Sequence, residues 1–313
     1  MAHARRFRFG VQSGGAGSAR EWREKARNVE ALGYSTLLMP DHFIDTPFAP
    51  MVGVAIAADA TETLRIGTLV LGNDYKHPAV VAKEFATLDV LSGGRVEAGI
   101  GAGWMRVDYE ALGLAYDPPS LRIERLEEAL AIIKGAWGEA PFSFEGDHYR
   151  ITEYDGLPKP VQQPHPPILV GGGGRKLLTL AAREADIVGF TASARAGEVT
   201  VEAARETLPA SWSQKFEWVR EAAGDRFDEL ELQIRYFFAA ITDDRRGLAE
   251  AAAPAFGIST DEALESRVAL VGTVDECCDI LVQRREESGV SYIVLGDDQF
   301  QAFAPVVARL AGT

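Results

Sequence analysis

The sequence predicts an α/β protein, a (β/α)8 barrel. Three observations predict it. Short apolar, strand-like runs alternate with helical patterns along the whole chain. Eight such runs fit into 313 residues, which suits a closed barrel better than an open doubly wound sheet. Polar and glycine-rich turns follow the strands, and no linker or low-complexity stretch divides the chain, so residues 1–313 read as one domain.

The elements can be justified in order. Phe7–Gln12 is a strand, and Ser18 with Glu21 makes a capping box for a helix that stops at Gly33. Thr36–Met39 is the second strand and Pro50–Thr61 a second helix. Leu64–Leu71 is the third strand, and Pro78 starts a helix that runs to Ser92, which makes His77 part of a helix start. Val96–Gly101 is the fourth strand. A long loop, Trp104–Pro119, then leads to a periodic helix over Leu121–Trp137.

Pro141–Val161 alternates aromatic residues (Phe142, Phe144, Tyr149) and reads as a hairpin-like excursion carrying His148. The alternation resumes with strand Ile168–Val170, helix Arg175–Ala185 and strand Ile187–Phe190. Residues 191–228 form a second excursion. Leu230–Ile241 is the seventh strand, and 243–264 an Ala-rich helical excursion. Thr273 and Glu276 cap a helix to Ser288, Ser291–Leu295 is the eighth strand, and a last helix ends near Leu310.

Composition narrows the function. Acidic side chains outnumber basic ones 46 to 32, a net charge of −14, which disfavours nucleic acid and anionic membranes as partners. Two adjacent cysteines, Cys277 and Cys278, build no disulfide framework, and the histidines, His3 included, show no zinc-site spacing. No apolar run is long enough to span a bilayer and no signal-peptide core follows Met1, so a cytoplasmic, metal-free protein is expected.

In a barrel, chemistry sits where strands end. The run Gly171–Gly174 joins a strand to a helix start, followed by Arg175 and Lys176. Glycines admit close approach to backbone N–H groups, and the helix dipole favours an anion, so the phosphate of a cofactor is the expected guest. Neither a dinucleotide fingerprint nor a Walker A loop is present. Asp41-His42 follows the second strand, where an imidazole can move a proton near neutral pH. No second residue completes a nucleophile–base pair at a recognisable spacing, which points to chemistry carried by a cofactor. The small residues Gly99–Gly103 would let a flat ring lie against the backbone, with Trp104 as its wall.

Together these stretches resemble the luciferase-like monooxygenase superfamily, and within it the actinobacterial oxidoreductases that use the deazaflavin coenzyme F420. The resemblance rests on Phe7–Gln12, Gly33–His42, Leu64–Leu71, His77-Pro78, Thr87–Arg95, Gly99–Trp104 and Pro167–Gly174. It implies a barrel with a flavin or deazaflavin at its C-terminal mouth, leaning on a bulge with a non-proline cis peptide at Leu69–Val70. It implies a cofactor phosphate on Gly172 and Gly173, and His42 on the substrate side of the ring. Relatives that oxidise sugar phosphates carry a glutamate where Trp104 stands, which disfavours that activity here.

The expectation is an F420-dependent oxidoreductase passing a hydride to an activated C=C or C=N bond of a small molecule, or running in reverse. His42 relays the proton and Asp41 orients it. Leu69, Val70, Gly101, Trp104, Gly171, Gly172, Gly173, Gly174, Arg175 and Thr191 hold the cofactor, while Gln12, Asn73 and Tyr75 shape the substrate pocket. Lys76, Arg106, Arg175 and Lys176 are expected to face the mouth as a basic cluster for the cofactor's anionic tail. The alternatives are an FMN-dependent monooxygenase using dioxygen, or a catalytically silent cofactor-binding paralogue. A homodimer is left open.

Overall fold

The computed structural model describes residues 5–193, 197–198 and 200–313; His3 lies outside them. The barrel strands are β1 (Arg8–Gln12), β2 (Thr36–Met39), β3 (Arg65–Thr68), β4 (Val96–Gly101), β5 (Ile168–Gly172), β6 (Ile187–Phe190), β7 (Glu231–Arg235) and β8 (Tyr292–Gly296). All pair in parallel in the order β3-β2-β1-β8-β7-β6-β5-β4, and Ile66 of β3 meets Val96 of β4 to close the ring. The outer helices are α1 (Ala19–Ala31), α2 (Pro50–Ala60), α3 (Pro78–Ser92), α4 (Pro119–Trp137), α5 (Arg175–Glu184), α6 (Pro209–Ala223), α7 (Val274–Ser288) and α8 (Ala304–Leu310).

Local chemistry sets the boundaries. Ser18 accepts from the Glu21 amide, but the Glu21 carboxylate reaches Gly17 N instead of Ser18 N, so only half of the expected box forms. At α7 both halves form between Thr273 and Glu276. His77 caps α3 by accepting from Ala79 N at 3.2 Å, and Gly93 ends that helix in the left-handed region, φ 65°.

Inside the barrel, Leu38, Leu169, Ile187, Tyr292 and Val294 pack as a core, with the half-buried Leu69 and Val70 against it. The N-terminal end is plugged by charge. Glu97, buried, accepts from Arg8 Nη1 at 2.5 Å, Arg65 Nε at 2.7 Å and Tyr292 Oη at 3.0 Å. Arg8 also forks onto Glu231. This polar layer leaves the opposite end as the place for chemistry.

Four expectations need correction. The third strand is interrupted: β3 ends at Thr68, and Leu71–Gly72 pairs separately with β4. The Trp104–Pro119 loop contains a helix, Arg106–Leu112, closed by Gly113 at φ 68°. The stretch 191–228 holds α6, a full outer helix begun by Pro209 at its first position. The seventh strand is two strands. After Arg235 the chain leaves the barrel, and Phe238–Ile241 pairs in parallel with Ala269–Gly272, a strand missed in the sequence. The 141–161 excursion is the expected hairpin, Phe142–Glu145 against Arg150–Tyr154. Glu128 of α4 ties its turn down through the amides of Asp147, His148 and Tyr149.

Candidate active site at the barrel mouth

His42 follows β2, and its Nδ1 lies 2.7 Å from Asp108 Oδ2. Asp108 sits in the first turn of helix Arg106–Leu112 and is fully buried. Its other oxygen accepts from Phe43 N at 2.9 Å and Ile44 N at 3.3 Å, so one carboxylate fixes both the ring and the loop that carries it. Trp104 stands edge-on to the imidazole, centroids 5.7 Å apart. His42 Nε2 has no partner among the described residues.

The orienting carboxylate is therefore Asp108, and the expectation of Asp41 in that place is corrected. Asp41 and His42 are adjacent on an extended loop, and their side chains diverge. Asp41 Oδ2 accepts from Gly72 N at 3.0 Å, latching the β2 loop to the strand after the bulge. Burial pushes the Asp41 carboxyl above its ordinary value, against the pull of that amide and of Lys76.

The Leu69–Val70 peptide is cis, as the resemblance implied. Gln12 Nε2 donates to Leu69 O at 2.6 Å, and Gln12 Oε1 accepts from Arg235 Nε at 3.1 Å. The room at Gly101 belongs to Val70: a Cβ there would meet Val70 Cγ2 at 2.6 Å. The floor of the mouth is thus the Val70 side chain, not the bare backbone of β4.

The glycine run divides by function. A Cβ on Gly172 would stand 2.5 Å from Leu177 Cδ2, and one on Gly173 would meet the backbone at Ala192 and Ser193, so both glycines are needed for packing. Gly171 is open, with nothing nearer than Gly189 O at 3.9 Å and Val70 Cγ1 at 4.0 Å. Gly174 begins α5 without any side-chain cap. Thr191 N donates to Gly172 O at 3.1 Å, and Thr191 O accepts from the buried Lys215 Nζ at 2.8 Å.

Asn73 and Tyr75 are both held by neighbouring side chains. Asn73 is buried and donates to Tyr149 Oη at 3.2 Å, toward the hairpin. Tyr75 packs edge-on to Phe43 at 5.1 Å and beside Tyr109 at 5.3 Å. The four cations expected to form a basic cluster each have a partner within the protein. Lys176 Nζ is 2.7 Å from Glu124, Lys76 Nζ 2.8 Å from Glu84, and Arg175 3.9 Å from Glu221, while Arg106 stacks 4.7 Å over Tyr116. In a chain with excess acid, surface cations find carboxylates first.

Sequence reasoning missed Asp108 and Arg235. Asp108 was legible in principle: Gly113 is a helix stop, and an acid in the first turn of the helix it ends is a recognisable signal. Arg235 lay inside a run taken as one continuous strand.

Among the described residues no helix is long and apolar enough to cross a membrane, and no group of three His, Cys, Asp or Glu could hold a metal ion. The chain is 38% identical to an FMNH(2)-dependent dimethylsulfone monooxygenase of Pseudomonas putida over 41% of this chain and 35% of that protein. It is 35% identical to an F420-dependent glucose-6-phosphate dehydrogenase of Intrasporangium calvum over 53% of this chain and 52% of that one. The matches thus span about a third to a half of these curated relatives. The solved coenzyme F420-dependent tetrahydromethanopterin reductase from Methanopyrus kandleri shares the fold, with a TM-score of 0.78 at 18% identity over 98% of this chain and 99% of that one. The family model for luciferase-like monooxygenases matches residues 2–292, and the chain belongs to that family.

Proposed function

We propose that this protein is an oxidoreductase that binds coenzyme F420 at the barrel mouth and exchanges a hydride with a small organic substrate, most simply by reducing an activated C=C or C=N bond. The observation that carries the reading is the His42–Asp108 pair beside Trp104 at the end of the barrel where this family does its chemistry. The relative named as an F420-dependent dehydrogenase supports the cofactor.

The residues at the mouth suit such a group. Val70 offers an apolar floor, Gly171 opens space above it, and α5 begins at Gly174 with first-turn amides that no side chain caps, as a phosphate would require. When bound, the deazaflavin supplies or accepts the hydride. The chain supplies the proton. With Nδ1–H donating to Asp108, His42 Nε2 is the atom that gives a proton to the reduced substrate or takes one in the reverse direction, and Asp108 fixes the ring in that orientation. Gln12 holds the bulge by its grip on Leu69 O, and Asp41 holds the next strand by its grip on Gly72 N. Trp104 stands where sugar-phosphate-oxidising relatives carry a glutamate, so a sugar phosphate is not the proposed substrate. Cytoplasmic placement goes with this reading; Cys277 and Cys278 are both buried free thiols.

A second reading, an FMN-dependent monooxygenase, is favoured by the dimethylsulfone monooxygenase relative. Anaerobic equilibrium titration with F420 and with FMN, followed by cofactor fluorescence, separates them. The expected result is saturable binding of F420 that is tighter than that of FMN. Tighter FMN binding at every salt concentration overturns the proposal and puts the monooxygenase in its place.

A further inference from the structure

Arg235 is the last residue of β7, and its guanidinium lies at the mouth. Nε donates to Gln12 Oε1 at 3.1 Å, Nη1 donates to the Tyr236 carbonyl and, at 3.4 Å, to Gln299 Oε1, and the group lies 5.0 Å from the centroid of Phe237. Gln12 is itself pinned to Leu69 O at 2.6 Å, so the guanidinium is held from the bulge as well as from its own strand. Nη2 has no acceptor among the described residues. Nη2 packs beside the buried Gly296, where a Cβ would stand 2.6 Å from it and 2.8 Å from Asp298 Oδ1.

The charge has no direct ion pair, and Asp298 is the acid that acts on it from beyond contact. No carboxylate oxygen lies within 4.0 Å of Arg235 among the described residues. Arg8, Arg65 and Arg125 all meet carboxylates, and the buried Arg122 and Arg284 spend donors of both terminal nitrogens on oxygen acceptors. Burial lowers the Arg235 guanidinium to about 10, opposed by the more distant Asp298, so it remains a cation at neutral pH. A fixed, partly desolvated guanidinium at the C-terminal end of a barrel strand, with Nη2 left without an acceptor among the described residues, can receive an oxyanion.

We propose that Arg235 receives an anionic oxygen of the substrate, which makes the substrate class small organic molecules bearing a carboxylate, sulfonate or phosphate. This rests on the reading of the mouth as the substrate-binding end of an oxidoreductase. The phosphate turn expected for the cofactor lies on β5, separated from β7 by β6. Arg235 therefore serves a different anion.

The test compares thermal unfolding in sodium acetate and sodium sulfate with sodium chloride at matched ionic strength, for the wild type, Arg235→Gln and Arg235→Lys. Sulfate stabilises proteins generally by exclusion, so the quantity read is the difference between wild type and variant. At an anion concentration about ten times Kd the wild type should gain about 2 °C over the variant. Arg235→Gln should lose this gain while F420 still binds saturably with less than about a tenfold loss of affinity, because Arg235 reaches the bulge only through Gln12. Arg235→Lys, which keeps the charge but not the planar fork, should retain part of the gain, and it carries the test if Arg235→Gln fails to fold. Equal gains in wild type and variants, or no anion-specific gain in the wild type, overturn the proposal. Loss of the gain together with an F420 affinity lowered about tenfold or more assigns Arg235 to the cofactor and likewise overturns it. If neither F420 nor FMN binds the wild type while the gain still depends on Arg235, the anion site stands and the oxidoreductase reading fails.

Discussion

Replacing Asp108 by Asn tests the proton relay at its least replaceable point. The carboxylate serves three donors: His42 Nδ1 at 2.7 Å on Oδ2, and Phe43 N and Ile44 N at 2.9 and 3.3 Å on Oδ1. Asn keeps the shape and one oxygen, so the two loop amides retain an acceptor. The new NH2 group then faces Nδ1 and must donate to it, which forces the neutral ring into the opposite tautomer with its proton on Nε2. That nitrogen can no longer accept from a substrate. Turnover should fall about 10²–10⁴, the range for a misplaced or lost general acid–base group. Exchanging a charge-assisted bond for a neutral one costs about 1–2 kcal/mol of stability, a fall in Tm of a few degrees. Imidazole 15N spectra of wild type and Asp108→Asn read the tautomer without any substrate. Cofactor titration and single turnover with an accepted substrate complete the assay. Identical tautomers in the two proteins, or turnover within threefold of wild type, would refute the reasoning.

Three further outcomes are expected. Gly171→Ala should fold with wild-type Tm, because its Cβ meets nothing nearer than 3.9 Å, yet bind cofactor about tenfold more weakly; Gly172→Val should lower Tm by pressing on Leu177, and unfolding scans with cofactor titrations tell the two apart. Asp41→Ala strands the buried Gly72 N–H at a cost of about 1–3 kcal/mol, so Tm should drop while the His42 tautomer seen by 15N stays as in wild type; a changed tautomer would restore Asp41 as the orienting group. For Glu97, burial alone would raise the carboxyl, but Arg8 and Arg65 override it and hold it below the ordinary range. Its stabilisation is therefore fully present above the unfolded pKa of about 4.3 and is lost as pH falls through the lower folded value. Glu97→Gln should cost about 3–5 kcal/mol at neutral pH by leaving Arg65 without a carboxylate and Arg8 with Glu231 alone, and should weaken the acid dependence of denaturant unfolding; an unchanged acid limb counts against it.

The fold was legible because its signals are local. Each barrel strand is a short apolar run bounded by turn residues, and the starts of α3 and α7 are written in Pro78 and in the Thr273–Glu276 pair. Where the reading failed, tertiary contacts decided. Arg65–Thr68 and Leu71–Gly72 look continuous as sequence, and only their pairing on either side of the bulge separates them. The run through Arg235 keeps its strand character after leaving the barrel, because Phe238–Ile241 finds a new partner in Ala269–Gly272. Periodicity reports that a residue is extended, not which strand it joins.

The site divides along the same line. His42, Trp104 and Gly171 could be placed at the mouth because each follows a strand directly, and a barrel gathers strand ends. What each touches could not be placed, because contact depends on how loops cross the mouth. Asp108 is 66 residues from His42 along the chain, and Arg235 is 223 from Gln12, so no spacing rule links either pair. Lys76 and Lys176 show the converse. Their positions after strand ends suggested a ligand, but Glu84 of α3 and Glu124 of α4 stand within hydrogen-bond reach and pair with them. Arg235, by contrast, meets two glutamines and a backbone carbonyl, with Asp298 outside ion-pair reach. What surrounds a cation is therefore visible only after the chain has folded, and a strand-end position alone does not report it.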